Sequence, residues 1–312
     1  MAYFSDKPFM LTKSIYIVLF FIMLHALISL LAWYVVGDNL IFVPEVKTYT
    51  FSYLFYYVYT DSDSLNAMRT IDIFGFPFFR GSGIFWEPGI LQIYMNILFF
   101  ISLFVYPNKR IAQLTSLVIV TTWSSTGLVI LILQIAFYVI IKVSKKNLFK
   151  TVVLIAIFAA LIIPIKKNLS DKFEGQDAGS GFARILDTMT AINIIKNYPL
   201  LGIEVDTKVY ERALSDNRAV VEMKGTNNQR DAHNTNSVLN YAVFFGIPLA
   251  LLLLYSLYGQ TIFMKNKILF FFIVVIAIST EPIGFYIFPL ILIFSKYILK
   301  YRAGGNYEFR SA

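Results

Sequence analysis

The apolar stretch from Ile15 to Val36 is long enough to cross a lipid bilayer as a helix, which takes about 20 such residues. Several similar runs follow it along the 312-residue chain. With 57% hydrophobic and 15% charged residues and a mean hydropathy of +0.66, a soluble domain of this length could not hide its apolar surface. The chain is one integral membrane unit, 1–312, with no room for a large soluble domain. Lys7 and Lys13 precede the first run, but it is too long for a signal-peptide core and lacks a small-x-small cleavage site, so it reads as the first anchor. Cysteine is absent and there are two histidines, which excludes disulfides and thiolate metal sites and argues against a transition-metal centre. The net charge of +8 matters here through its placement rather than its total, and nucleic acid is not an expected partner.

Eight hydrophobic segments fall at about 14–36, 88–106, 111–123, 127–141, 149–165, 236–258, 268–280 and 283–299. Residues 111–141 read either as one long helix or as a hairpin turning at Thr121–Gly127, and 268–299 either as one helix or as a hairpin turning at Glu281-Pro282. Charge decides between them. With two hairpins, Lys7, Lys13, Lys109, Arg110, the 142–150 lysines, Lys265, Lys267, Lys296, Lys300, Arg302 and Arg310 all lie on one side. Only Asp6 and Glu308 join them as acids. The positive-inside rule makes that side cytoplasmic, together with both termini. At 1.5 Å per residue each hairpin arm spans roughly 18–25 Å, short enough to leave a depression at the outer surface. Two segments, 37–87 and 166–235, are then extracytoplasmic loops.

In the second loop Phe182, Ile185, Met189, Ile192 and Ile195 recur at helical spacing within Gly181–Lys196, a face fit to lie on the membrane or on the other loop. Pro199 and Gly202 end that helix, and Pro248 inside a later span predicts a kink near Phe244. There is no internal repeat and no low-complexity tract.

Four polar clusters stand out. Arg80-Gly-Ser-Gly-Ile-Phe-Trp-Glu87-Pro88 leads into a span, with Pro88 suited to the first helical turn and Glu87 to the N-cap. Its plain reading is a capped helix with an arginine and a tryptophan at lipid headgroups. Thr121-Thr-Trp-Ser-Ser-Thr-Gly127 offers hydroxyls that satisfy freed backbone groups, or else a donor-rich pocket floor. Arg184 precedes Asn197-Tyr-Pro-Leu-Leu-Gly202 and, by itself, reads as a solvated loop charge. Asp231-Ala-His233-Asn234-Thr235 precedes a descending span, and its plain reading is a surface cap. His233 is the only histidine outside, since His25 is mid-span. A helix N-terminus lowers an imidazole pKa and keeps it neutral, as a general base must be. Spans starting near 88, 127, 236 and 283 all run inward, so four positive helix ends face out. With Arg80, Arg184 and any of Arg212, Arg218 or Arg230, they suit a phosphorylated ligand at the outer face.

Arg80…Gly83-Ile-Phe…Glu87-Pro88, Ser125-Thr-Gly127, Arg184…Tyr198-Pro-Leu-Leu-Gly202, His233-Asn234 before a Gly246-containing span, and Thr280-Glu281-Pro282 appear in an order that resembles the bacterial oligosaccharide repeat-unit polymerases (Wzy-type O-antigen polymerases) and O-antigen ligases. The resemblance spans about residues 75–290. It implies an all-α, polytopic fold like that of the class C glycosyltransferases (GT-C). It also implies undecaprenyl-diphosphate-linked glycans as substrates, with no cofactor, metal or nucleotide sugar. By that likeness His233 takes a proton from the acceptor hydroxyl, while Arg80 and Arg184 hold the departing diphosphate, whose growing charge fixed cations stabilise. Glu87 holds an arginine or orients His233. Membrane lipid surrounds the protein, and a chain-length regulator is a candidate partner.

Polymerase is preferred to ligase because Glu87-Pro88 and the later glutamate-proline resemble the polymerases more. Asp38 and Asp61-Ser-Asp63 suggest a rival, a metal-dependent glycosyltransferase, though two acids two residues apart arise often by chance. A glycan flippase without catalysis is disfavoured by spans almost free of ionisable groups and by the absence of a repeat.

Overall fold

A computed structural model describes residues 8–36, 41–43, 48–51, 55–58, 70–73, 76–85, 87–142, 178–204, 207–222 and 236–298. The helices among them are α1 (Pro8–Val36), α2 (Pro88–Phe100), α3 (Lys109–Thr121), α4 (Ser125–Lys142), α5 (Ala178–Asn197), α6 (Thr207–Glu222), α7 (Ser237–Tyr258), α8 (Lys267–Ile278) and α9 (Ile287–Ile298). A π-helical turn, Ile101–Val105, extends α2. Among the described residues, three stretches are long and apolar enough to cross a membrane: Phe9–Ala32, Pro88–Val105 and Ser237–Tyr258. Ser125–Ile141, Lys267–Ile278 and Ile287–Tyr297 are shorter apolar helices. The chain is a mostly helical membrane protein. The expected span at 149–165 lies outside the described residues.

The first loop also contains strands, which the hydropathy pattern does not distinguish from irregular chain. Ile41–Val43 (β1), Thr48–Phe51 (β2) and Phe55–Val58 (β3) pair antiparallel in the order β1-β2-β3, and Thr70–Ile73 (β4) pairs with Phe76–Phe79 (β5). Thr, Tyr, Phe, Val and Ile dominate them, residues that favour a pleated surface. The mostly helical bundle fits the all-α expectation, and the first loop adds these short strands to it.

Both long apolar runs are broken where expected. Between α3 and α4 the chain turns over 122–124, with Trp123 in the left-handed region at φ 50°. Thr121 and Thr122 hydroxyls donate to the carbonyls of Val118 and Ile119 at 2.8 and 2.7 Å, and Ser124 Oγ accepts from Gly127 N at 3.4 Å. Here the hydroxyls satisfy helix-end groups, the plainer of the two roles read from sequence. The second run breaks between α8 and α9, over 279–286.

Helix α2, with its π turn, is buried along most of its length at the centre of the bundle. Its polar face meets α4 through an interior amide ladder. Asn96 Nδ2 donates to Gln92 Oε1 at 3.1 Å and to Gly127 O at 3.3 Å, and Gln134 Nε2 donates to Asn96 Oδ1 at 3.0 Å. A side chain at Gly127 would overlap Gln92, so glycine permits this approach. At the other end of α2, Phe100 packs against Phe104, Phe263 and Phe270 with ring centroids 5.1–6.4 Å apart.

Helix α7 carries the expected kink. Pro248 has no N–H to offer Phe244 O, and the non-helical residue is Gly246, at φ 76° and ψ 167°. The freed groups are satisfied by the segment after α5. Ile203 N donates to Val243 O at 2.9 Å, Glu204 N to Phe244 O at 3.0 Å, and Ile247 N to Pro199 O at 2.8 Å. The Tyr198-Pro-Leu-Leu-Gly202 motif is thus a main-chain clip on a broken helix. Gly202, at φ 69°, and Gly246 each leave no space for a Cβ against the other segment's backbone.

Helix α5 buries Ala191 and Ile194 against α6 and α7. Its apolar face at Ile185, Met189 and Ile192 stays exposed, and no described part of the first loop covers it. Tyr210 of α6 packs into this junction, where burial and the Asp187 carboxylate push its phenol pKa well up.

Candidate active site at the converging helix starts

Contacts along the bundle fix the direction of each helix. Gly89 at the start of α2 meets Glu281, and Gly127 at the start of α4 meets Gln92 of α2. Ser237 at the start of α7 bonds Glu281 and Gly284, just ahead of α9. At the opposite end Phe104 meets Phe137 and Tyr138 of α4, and Ser256 of α7 meets Tyr297 of α9. Helices α2, α4, α7 and α9 therefore run parallel, with their starts at one end, as the sequence suggests. Helices α1, α3 and α8 run the other way: Ala26 of α1 lies by Gly83, Thr121 of α3 by Gly81, and Phe270 of α8 by Phe100. Lys13, Lys109, Arg110, Lys265, Lys267 and Lys296 belong to the end away from the four starts.

Arg80 is half-buried at the end with the four starts. Its Nε donates to Thr122 O at 3.3 Å, the C-cap carbonyl of α3, and Gly81 N donates to Thr121 O at 3.0 Å. A guanidinium there complements the negative end of α3. Gly83, at φ 58°, packs against Ala26 and Leu91. Glu87 occupies the N-cap of α2, where Pro88 fills the first turn as expected, but its side chain is exposed and makes no capping bond.

Arg184 is drawn in from α5. Its Nη2 lies 3.7 Å from Oε1 of Glu281, and the two side chains are 34% and 7% exposed. The solvated-charge reading of Arg184 is thereby replaced by a partnered one, and the carboxylate opposite it is Glu281 rather than Glu87. Glu281 appeared in the sequence only as a turn and a resemblance. The signal that could have singled it out is its isolation, as the single acid between residues 236 and 307. His233 lies outside the described residues, as do Arg230 and Asp61-Ser-Asp63. The helix following His233 starts at Asn236, whose Oδ1 accepts from Leu239 N at 3.0 Å. The structure therefore brings Arg184 to the ring of helix starts and places Arg80 at the same end.

A family model described as O-antigen ligase matches residues 111–254. Over that segment the chain is similar to the O-antigen ligase family. The match runs from α3 into α7 and includes Arg184, the 198–202 clip, His233 and Gly246. Arg80, Glu87 and Glu281 lie outside it. No curated protein and no solved structure matches the chain. Partial positive charge from the helix starts and two arginines at one end of the bundle favour a phosphorylated group.

Proposed function

We propose that the protein is a polymerase of undecaprenyl-diphosphate-linked oligosaccharide repeat units, acting on the outer face of a bacterial plasma membrane to build an O-antigen, capsule or exopolysaccharide. The observation that carries this reading is the gathering of four parallel helix starts with Arg80 and Arg184 at one end of a chain that in part matches the O-antigen ligase family. On this reading the short arms α3, α4, α8 and α9 cross the membrane with α1, α2, α7 and the segment at 149–165, giving eight spans of GT-C-like arrangement. The chain is one membrane domain, with 37–87 and 166–235 as its extracytoplasmic loops and both termini in the cytoplasm. The lysine-rich end of the bundle supports that orientation.

The chemistry uses no metal. His233 accepts the proton of the acceptor hydroxyl as that oxygen bonds the anomeric carbon of the donor. The bond from that carbon to the diphosphate breaks, and the electron pair leaves with the phosphate oxygen. Arg80 and Arg184 take up the charge gathering there. Glu87, exposed at the rim, holds an arginine or orients His233. Expression in a polymerase-deficient strain, followed by gel separation of the glycan, tests the assignment: restored ladders support it, and unchanged single-repeat glycan removes it.

Ligase activity is the second reading, favoured by the description of the matched family. Transfer of finished polymer to the lipid A core in a ligase-deficient strain, without restored ladders in the polymerase-deficient one, would select it.

A further inference from the structure

We infer that Glu281 is a positioning residue for the diphosphate site, holding Arg184 in place from the buried side. This rests on the polymerase or ligase reading above, since both use the same donor.

Glu281 sits in the break between α8 and α9, inside an apolar run, and its side chain is only 7% exposed. Burying a carboxylate there is unfavourable unless nearby groups compensate. Two do so. One is the first turn of α2, where the carboxylate lies against Gly89, its Cδ 2.8 Å from where a Cβ would stand. The other is Arg184, 3.7 Å away on α5.

The backbone of the same residue is gripped by α7. Ser237 Oγ donates to Glu281 O at 2.6 Å and accepts from Gly284 N at 2.8 Å. The Tyr241 hydroxyl donates to Gly284 O at 2.6 Å. One acid therefore links the helix that follows Glu87, the helix that follows His233 and the helix that carries Arg184.

Stability alone is a poor account of the pair. A cation placed only to neutralise a buried carboxylate would be buried with it, whereas this guanidinium stays one-third exposed at 3.7 Å. Geometry is a better one. The carboxylate cannot advance without leaving the α2 start, whereas the exposed part of the guanidinium can meet an anion while the buried part stays held. An arginine pinned on one side loses less freedom when it binds a phosphate on the other.

The test uses the full chain in nanodiscs, with binding of undecaprenyl diphosphate and thermal unfolding measured together. Arg184→Ala and Glu281→Gln should each weaken binding on the order of tenfold, the loss of one oriented charge contact. The double variant should be no weaker than Arg184→Ala alone, since the two residues act as one unit. Glu281→Asp, which keeps the charge but draws it back, should fall between wild type and Glu281→Gln. Glu281→Gln binding as tightly as wild type, or more tightly, overturns the inference and leaves the diphosphate reading intact. Unfolding of both Glu281→Gln and Glu281→Asp marks a purely structural acid and also overturns it. Absence of binding by the unaltered chain overturns the diphosphate reading itself, and this inference with it.

Discussion

The carboxylate of Glu281 occupies the space that a side chain at Gly89 would need. Gly89 is therefore fixed by a neighbour nearly two hundred residues away rather than by backbone conformation, since its φ is not positive. Alanine there has to push the buried carboxylate away from α2. Gly89→Ala should cost about 1–3 kcal/mol, as small-to-large changes in a packed interior do. It should also reduce glycan ladders more than a stability loss of that size explains. Thermal unfolding of the purified protein and ladder analysis at equal expression check both parts.

The clip on α7 gives a second expectation. Gly246 is at φ 76°, and any Cβ on it would overlap the Leu200 carbonyl group. Gly246→Ala should destabilise by about 2 kcal/mol or more, because strain and collision act together. Hydrogen exchange should then rise at Ile203, Glu204 and Ile247, whose amides make the clip. Unchanged protection at these three amides would contradict the arrangement.

The amide ladder between α2 and α4 gives a third. Asn96→Leu removes the acceptor of Gln134 Nε2 and the donor to Gln92. Leaving buried amides unsatisfied should cost roughly 1–3 kcal/mol per group. The melting temperature in detergent should fall, while replacing Asn96, Gln92 and Gln134 together by apolar residues should recover part of the loss.

His233→Ala should leave the protein inserted and abolish chain extension. Arg80→Lys should impair extension as well, because a planar fork that also bonds Thr122 O becomes a single point charge. Ladders of normal length from either variant, read on a gel in a polymerase-deficient strain, would remove that residue from the mechanism.

Cysteine is absent from the natural chain, so single cysteines report topology cleanly. Cysteines placed at Ala232 and at Asn266 should be labelled by an impermeant maleimide from outside and from inside the cell respectively. Labelling of position 232 only after lysis would invert the proposed orientation and with it the site.

Hydropathy and charge carried the large features. The breaks at 122–124 and 279–286, the parallel set of helix starts and the bend at Pro248 all follow from local rules that act within a few residues. The bend centres on Gly246, two residues from Phe244, because glycine takes the left-handed conformation at least cost. The pairing of Arg184 with Glu281 was not legible. The two lie nearly a hundred residues apart, and nothing local distinguishes a partnered arginine from a solvated one. The 198–202 motif stood out in the sequence, but its role as a clip did not. That role depends on carbonyls freed in another helix by Pro248. The strands of the first loop were missed because their signal lies in residue shape rather than in alternating polarity.

The joint between α5 and the bent α7 is made largely by main-chain atoms, and Leu200 and Leu201 point away from it, exposed. Such a seam is indifferent to most side chains along it. Gene variants could therefore drift freely at those two leucines, or adapt them to a different lipid, without disturbing how Arg184 is delivered. Only the glycines and prolines that shape the seam are held in place.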